Sequence, residues 1–210
     1  MSAGVYYSAL FSARLVTLPR VERYEAQTLT VEQIKRLLEV ARGSRLEVMI
    51  LVALNTGMRR GELSALRWDD IDFENGLIFV RHTVTYVAGY GFEETEPKTR
   101  SSKRKIAVSD KVLEELKKHR EKQAQLRLEV GDKWHEQGLV FCNKFGGFLL
   151  VEVVMKQFHT LLEKAGLPKM RFHDLRHTMA TILLESDVHP KKVQERLGHS
   201  SIAITMDTYS

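Results

Sequence analysis

FHDLRHTMAT, residues 172–181, is the stretch on which the reading of this chain turns. It opens a helix expected over about 173–186. His173 and Arg176 are three apart, so they share one helix face and can present an imidazole and a guanidinium to a single anion. His173 stands at the helix start beside Asp174, where an ordinary structural hydrogen bond would also account for it. His177 follows Arg176 by one position and points elsewhere, as a packing or supporting residue. His173 and His177 are spaced i, i+4 and could in principle share a metal ion, but no cysteine or carboxylate cluster joins them, so no metal is expected.

Four further stretches extend this one. Downstream, ERLGHSSIAIT (195–205) sets His199 between a helix expected over 190–197 and another over 201–208, and MDTYS (206–210) brings in Tyr209. Upstream, PKTRSSKRKI (97–106) contains five cations and no anion in the eight positions 98–105, with strand-like residues on either side. That pattern fits a β-hairpin offered to phosphate, or merely a solvated basic loop. Further upstream, TGMRRGELSALRWDDID (56–72) carries Arg59, with Glu62 three residues on as an ion-pair partner.

The intervening residues read as mainly α with a small three-stranded antiparallel β-sheet. Thr30 and Gln33 form a capping box for a first helix with a buried stripe of Ile34, Leu37, Leu38 and Val40, stopped by Gly43. Ser44 to Glu47 repeats the capping pattern for a second helix, apolar through Met49–Leu54, and a short helix spans 60–66. From Ile71 the period changes to that of strands, with an Asn75-Gly76 hairpin turn before Leu77–Val80. Val84 and Tyr86 on one side, and Ile106 and Val108 on the other, bound a longer excursion through 89–91. Ser109-Asp110 caps a long, charged, surface-facing helix to about Glu129. A short extended piece at 139–141, a turn at 143–147 and a helix over 151–165 follow.

The residue types suit a phosphodiester. A guanidinium stays charged and offers a planar fork of donors, so Arg59 and Arg176 reaching one phosphate from two helices would stabilise a pentacoordinate phosphorane more than its ground state. Losing one such donor typically costs about 3 kcal/mol. Lys98 is a candidate acid for a departing oxygen, although a plain backbone contact suits Lys98, Arg100, Lys103, Arg104 and Lys105 alike. The His199 imidazole can donate to a non-bridging oxygen, or simply precede a helix. Tyr209 can attack only if a base and nearby cations stabilise its phenolate. There is no G-x-x-x-x-G-K-[ST] loop and no acidic cluster suited to Mg²⁺, so no nucleotide or metal cofactor is expected.

In combination these stretches strongly resemble the catalytic domain of the tyrosine recombinases, the phage-integrase family, over roughly residues 26–210. The resemblance implies that fold. It makes Arg59 the first catalytic arginine, oriented by Glu62, and assigns the neighbouring Arg60 to the surface. It picks Lys98 as the hairpin lysine, His173 as the group that accepts or relays the nucleophile's proton, Arg176 and His199 as the second and third boxes, and Tyr209 as the nucleophile. It also implies double-stranded DNA attachment sites as substrate, a covalent 3′-phosphotyrosine, a tetramer on DNA, and a bacterial or phage-encoded, nucleoid-associated protein of a mobile element.

Family members carry an N-terminal core-binding domain and a C-terminal tail. Residues 1–28 are too few for the former and read as a linker or upstream remnant, and the chain stops one residue after Tyr209. The expectation is a catalytic domain over 29–210, trimmed at both ends, monomeric when free, with Tyr209 displaced from its pocket.

Two other readings remain. A type IB topoisomerase shares the chemistry but relaxes supercoils as a monomer. PKKVQERLGHSSIAIT (190–205) also has the flavour of a helix–turn–helix DNA-binding module, which would leave Arg59, Lys98 and Tyr209 unexplained. The net charge of +5 favours a polyanionic partner without proving one. Composition fits one ordinary globular core, the single cysteine, Cys142, excludes an intrachain disulfide, and the opening residues lack the basic start of a secretory signal, which points to the cytosol.

Overall fold

The computed structural model describes residues 26–96, 103–199 and 201. Helix α1 (Val31–Ala41) begins as expected. The Thr30 hydroxyl accepts the Gln33 N–H at 3.3 Å, and the Gln33 side chain accepts the Thr30 N–H at 2.9 Å. Helix α2 (Glu47–Thr56) buries nearly its whole circumference. Its start differs from the expected Ser44–Glu47 box. Leu46 is buried in the core and occupies the N-cap position, which holds residues 44–46 in a turn; Glu47 reaches back instead to accept the Gly43 N–H at 2.8 Å.

Gly57 closes α2 in the left-handed conformation, φ 64°, and a Cβ there would collide with Met179 and Leu197. Helix α3 (Arg60–Ser64) is shorter than expected. Gly61 lets it lie directly on the next hairpin: a Cβ would stand 2.6 Å from the Thr83 hydroxyl and 2.7 Å from the Val84 carbonyl oxygen.

After a 3-10 turn at Trp68–Asp70 come strands β1 (Ile71–Asp72), β2 (Leu77–Val80), β3 (Thr83–Val87), β4 (Gly91–Thr95) and β5 (Arg104–Ala107). The expected three-stranded antiparallel sheet is present, in the order β1-β2-β5. The excursion between β2 and β5 is not irregular, however. It is a second sheet, the β3–β4 hairpin, reversed by Gly89 and Gly91 at φ 82° and 90°. Arg67 fastens it by a two-pronged bond to Glu94 at 2.6 and 2.9 Å.

Helix α4 (Asp110–Val130) starts at Ser109 without a side-chain cap bond and fully buries only Val112, Leu113 and Leu116; His119 and Gln123 bond the Val140 carbonyl, and most of the remaining residues are polar and exposed. The turn at 143–147 is held by Asn143, whose side-chain oxygen accepts the Phe145 and Gly147 N–H groups. Helices α5 (Val151–Lys164), α6 (Asp174–Glu185) and α7 (Pro190–Leu197) follow, close to expectation. The helix expected over 201–208 lies outside the described residues.

The main core gathers Leu37, Met49, Ile50, Leu63, Ile78, Leu116 and Phe158, each fully buried. Burial of each such side chain contributes about 1.5–3 kcal/mol. A second cluster, Met179, Ala180, Val193 and Leu197, joins α6 to α7. No helix among the described residues is long and apolar enough to cross a membrane.

Candidate active site

Arg59 occupies the N-cap position of α3, where the chain is extended before the helix turns. One terminal nitrogen of its guanidinium donates to Glu62 Oε1 at 2.9 Å, and its backbone N–H donates to Glu62 Oε2 at 2.7 Å. The Arg59 side chain keeps 39% exposure while Glu62 keeps 3%. The expected Arg59–Glu62 pair is therefore present, with the carboxylate beneath and the guanidinium at the surface. Burial pushes the Glu62 carboxyl up, but Arg104 and then Arg59 outweigh it and hold it below its ordinary value.

Arg176 comes from the first turn of α6 and is 3% exposed. Its two terminal nitrogens donate to backbone carbonyls, Gly57 at 2.6 Å and Leu197 at 2.8 Å. Those carbonyls lie two residues before Arg59 and two residues before His199. The guanidinium thus joins the ends of α2 and α7, the places from which the other two groups emerge.

His173 is the N-cap residue of α6. Asp174 beside it is fully buried and accepts the Arg171 backbone N–H at 2.9 Å, together with two donors of the Arg171 guanidinium. This staple fixes the turn that presents His173. Burial, then Arg176, His177 and Arg171, push the His173 imidazole down from 6.5 to about 4, so it is neutral at neutral pH. His177 meets His173 edge to face, ring centroids 5.3 Å apart, and is also pushed down by burial.

His199 follows Gly198, the left-handed residue that ends α7. Gln194 grips its backbone from both sides: the His199 N–H donates to the Gln194 carbonyl at 3.1 Å, and Gln194 Nε2 donates to the His199 carbonyl at 3.0 Å. Burial, then the charges of Arg176, Arg59, His177 and Arg104, push its imidazole down to about 4. Two elements distant in sequence, at residues 59 and 176, thus act on His199 together. Arg59 and His173 also line one cleft of about 510 Å³ with Gly61, residues 83–86, Val151, Met155 and Arg171.

The remaining sequence candidates separate. Arg60, assigned to the surface, is half-buried and lines the same cleft. Lys103 is exposed and pairs with Glu96 at 2.6 Å; Lys105 is exposed on β5. Arg104, expected as a DNA-backbone contact in the basic tract, instead turns inward with 6% exposure and binds Glu62. Lys98, Arg100 and Tyr209 lie outside the described residues.

The sequence pattern of the phage integrase family matches residues 27–210. The chain belongs to the phage integrase family. A tyrosine recombinase XerC-like protein of Caldanaerobacter subterraneus subsp. tengcongensis is 36% identical over 197 residues, which cover 89% of this chain and 50% of that protein. The ICEBs1 integrase of Bacillus subtilis is 32% identical over 158 residues, covering 75% of this chain and 42% of that one. The chain spans about half the length of the curated relatives it matches. The solved Tn1549 transposon integrase, in complex with transposon right end DNA, superposes with a TM-score of 0.78 at 27% identity, covering 91% of this chain and 64% of that one.

Within this site, the sequence had singled out neither Gln194 nor the Arg171–Asp174 pair. Arg171 and Asp174 stand three apart across a helix start, a readable N-terminal signal. Gln194 left no such sign, because the groups through which it holds His199 are backbone groups beyond the end of its own helix.

Proposed function

We propose that the chain is the catalytic part of a site-specific DNA recombinase that integrates or excises a mobile element. The observation that carries this reading is the gathering of Arg59, His173, Arg176 and His199, from the start of α3, the start of α6 and the end of α7, around the ends of α2 and α7. Such a set suits one phosphodiester. The two guanidiniums and the His199 imidazole would bind the non-bridging oxygens, where negative charge grows on the way to the phosphorane. Neutral His173 would take the Tyr209 phenol proton. The phenolate oxygen would then bond to phosphorus as the bond to the 5′ oxygen breaks, and Lys98 would protonate that oxygen. The product is a 3′-phosphotyrosine and a free 5′ hydroxyl. A phosphotyrosyl bond is itself a phosphodiester, so the 5′ hydroxyl of a partner strand can reverse the step without ATP.

Double-stranded attachment sites are the substrate of this reading, and a tetramer around two duplexes is its working assembly. The relatives that are integrases of ICEBs1 and Tn1549 support a mobile element as the setting. One observation favours a second reading. The stretch 190–205, whose first half is helix α7, reads as a helix–turn–helix, which binds DNA without cutting it.

A nicked suicide duplex taken from the element's attachment site separates the two. The chain, and a version extended at both ends, would each be incubated with it beside the Tyr209→Phe variant. The proposal expects an SDS-resistant adduct on the 3′ phosphate that is lost in the variant. DNA binding without an adduct from either form would overturn it in favour of the binding module. Relaxation of supercoiled plasmid without sequence preference would point to a topoisomerase.

A further inference from the structure

The basic tract 103–105 is split by the strand it forms. Side chains on a strand alternate, so Arg104 shares a face with Ile106, and Ile106 is buried against Ile78 of β2. Lys103 and Lys105 take the opposite face and are exposed. The inward Arg104 guanidinium donates to Glu62 Oε1 at 3.1 Å and to Glu62 Oε2 at 2.9 Å, and its Nε donates to the Arg196 carbonyl at 2.8 Å.

Glu62 therefore serves two arginines at once. Each carboxylate oxygen accepts one bond from Arg104 and one from Arg59, the latter from the side chain on Oε1 and from the backbone on Oε2. Two consequences follow. A carboxylate held by one guanidinium nitrogen can rotate, whereas a two-pronged bond fixes its plane and hence the direction in which Arg59 is held. One carboxylate shared by two guanidiniums also leaves a net positive charge, so Arg59 is aimed without being neutralised. Through the Arg196 carbonyl the same side chain ties β5 to the last turn of α7, two residues before Gly198 and three before His199.

We propose that Arg104 is a positioning residue for the phosphate clamp, which sets Arg59 through Glu62 and makes no contact with DNA itself. This rests on the reading of Arg59 as that clamp. The role differs from that of its neighbours in the basic tract, which face solvent.

Arg104→Lys keeps the charge and loses the fork; Arg104→Met loses both. Three quantities would be read for each, after thermal unfolding shows that the variant folds: the Arg59 Nε–H signal in a ¹⁵N spectrum, assigned with Arg59→Lys; the salt dependence of DNA affinity; and the rate of adduct formation at saturating nicked duplex. The expected result for Arg104→Lys is a shifted or broadened Arg59 signal, an unchanged salt slope, and an adduct rate lower by on the order of 10²-fold, as for a misplaced catalytic group. A salt slope reduced by about 1 in Arg104→Met would mark Arg104 as a phosphate contact and overturn the proposal. So would an unmoved Arg59 signal, or a rate fully restored by lysine. If neither the unaltered chain nor its extended version forms an adduct, the recombinase reading fails; the Arg59 signal and the salt slope still decide what Arg104 does.

Discussion

Two imidazoles in this site resist protonation, and this gives the folded chain a pH signature. His173 and His199 titrate at about 4 instead of 6.5, chiefly through burial and then through neighbouring arginines. Between those values the unfolded chain binds protons that the folded one does not, so unfolding free energy rises with pH across that window and levels off above it. Urea midpoints measured at about pH 5 should therefore lie below those at about pH 7.5, and His199→Gln should narrow the gap. An equal midpoint at both would mean that neither ring is buried as described. Arg59 makes a sharper kinetic prediction. It is partly exposed and holds little of the fold, so Arg59→Lys should leave the urea midpoint nearly unchanged while slowing adduct formation about 10²-fold or more. At this scale the chemistry-bearing residue types were legible because phosphate restricts them so narrowly. The inward turn of Arg104 was missed: its spacing of two from Ile106 marks the buried face, but the run of cations around it obscured that signal.

Elements decide how closely these groups approach. Gly61 permits α3 to press against β3, with the Thr83 hydroxyl and the Val84 carbonyl where a Cβ would stand. Gly61→Ala should cost about 1–3 kcal/mol, because backbone and not only a flexible side chain must move. It should also disturb Arg59, two residues away at the helix start. Denaturant unfolding and adduct rate, measured on the same variant, would show both effects. Thr30→Ala should cost about 1 kcal/mol through its lost cap and leave the site untouched, a control for stability alone. The α1 box, the Asn-Gly hairpin and the helices α5 to α7 could be read from sequence because their signals are local. The start of α2 could not, since Leu46 yields to the core before Ser44 can cap. Nor could the β3–β4 hairpin, whose strands are half-exposed and fixed by Arg67 from outside the hairpin.

At the scale of the whole molecule, the fold brings residues 59, 104, 176 and 199 together across more than half the sequence. Arg176 is the main joint, bonded to the end of α2 and the end of α7. The Phe158 side chain lies at the centre of the core that supports α5 against the rest, and Phe158→Ala should lower stability by about 3–5 kcal/mol. The measured urea midpoint checks this, and an unchanged one would contradict the core described. Such joints span residues far apart in sequence, and no local pattern announces them; only the family resemblance anticipated that the separate boxes meet.

That meeting is the central claim, and a structure tests it most directly: the Tyr209→Phe chain bound to the nicked attachment-site duplex. The prediction is one phosphate bonded by Arg59, Arg176 and His199 together, with the ring of residue 209 in line opposite the 5′ oxygen. A phosphate held instead by Arg60 or Lys105, with no bond from Arg59, Arg176 or His199, would contradict it.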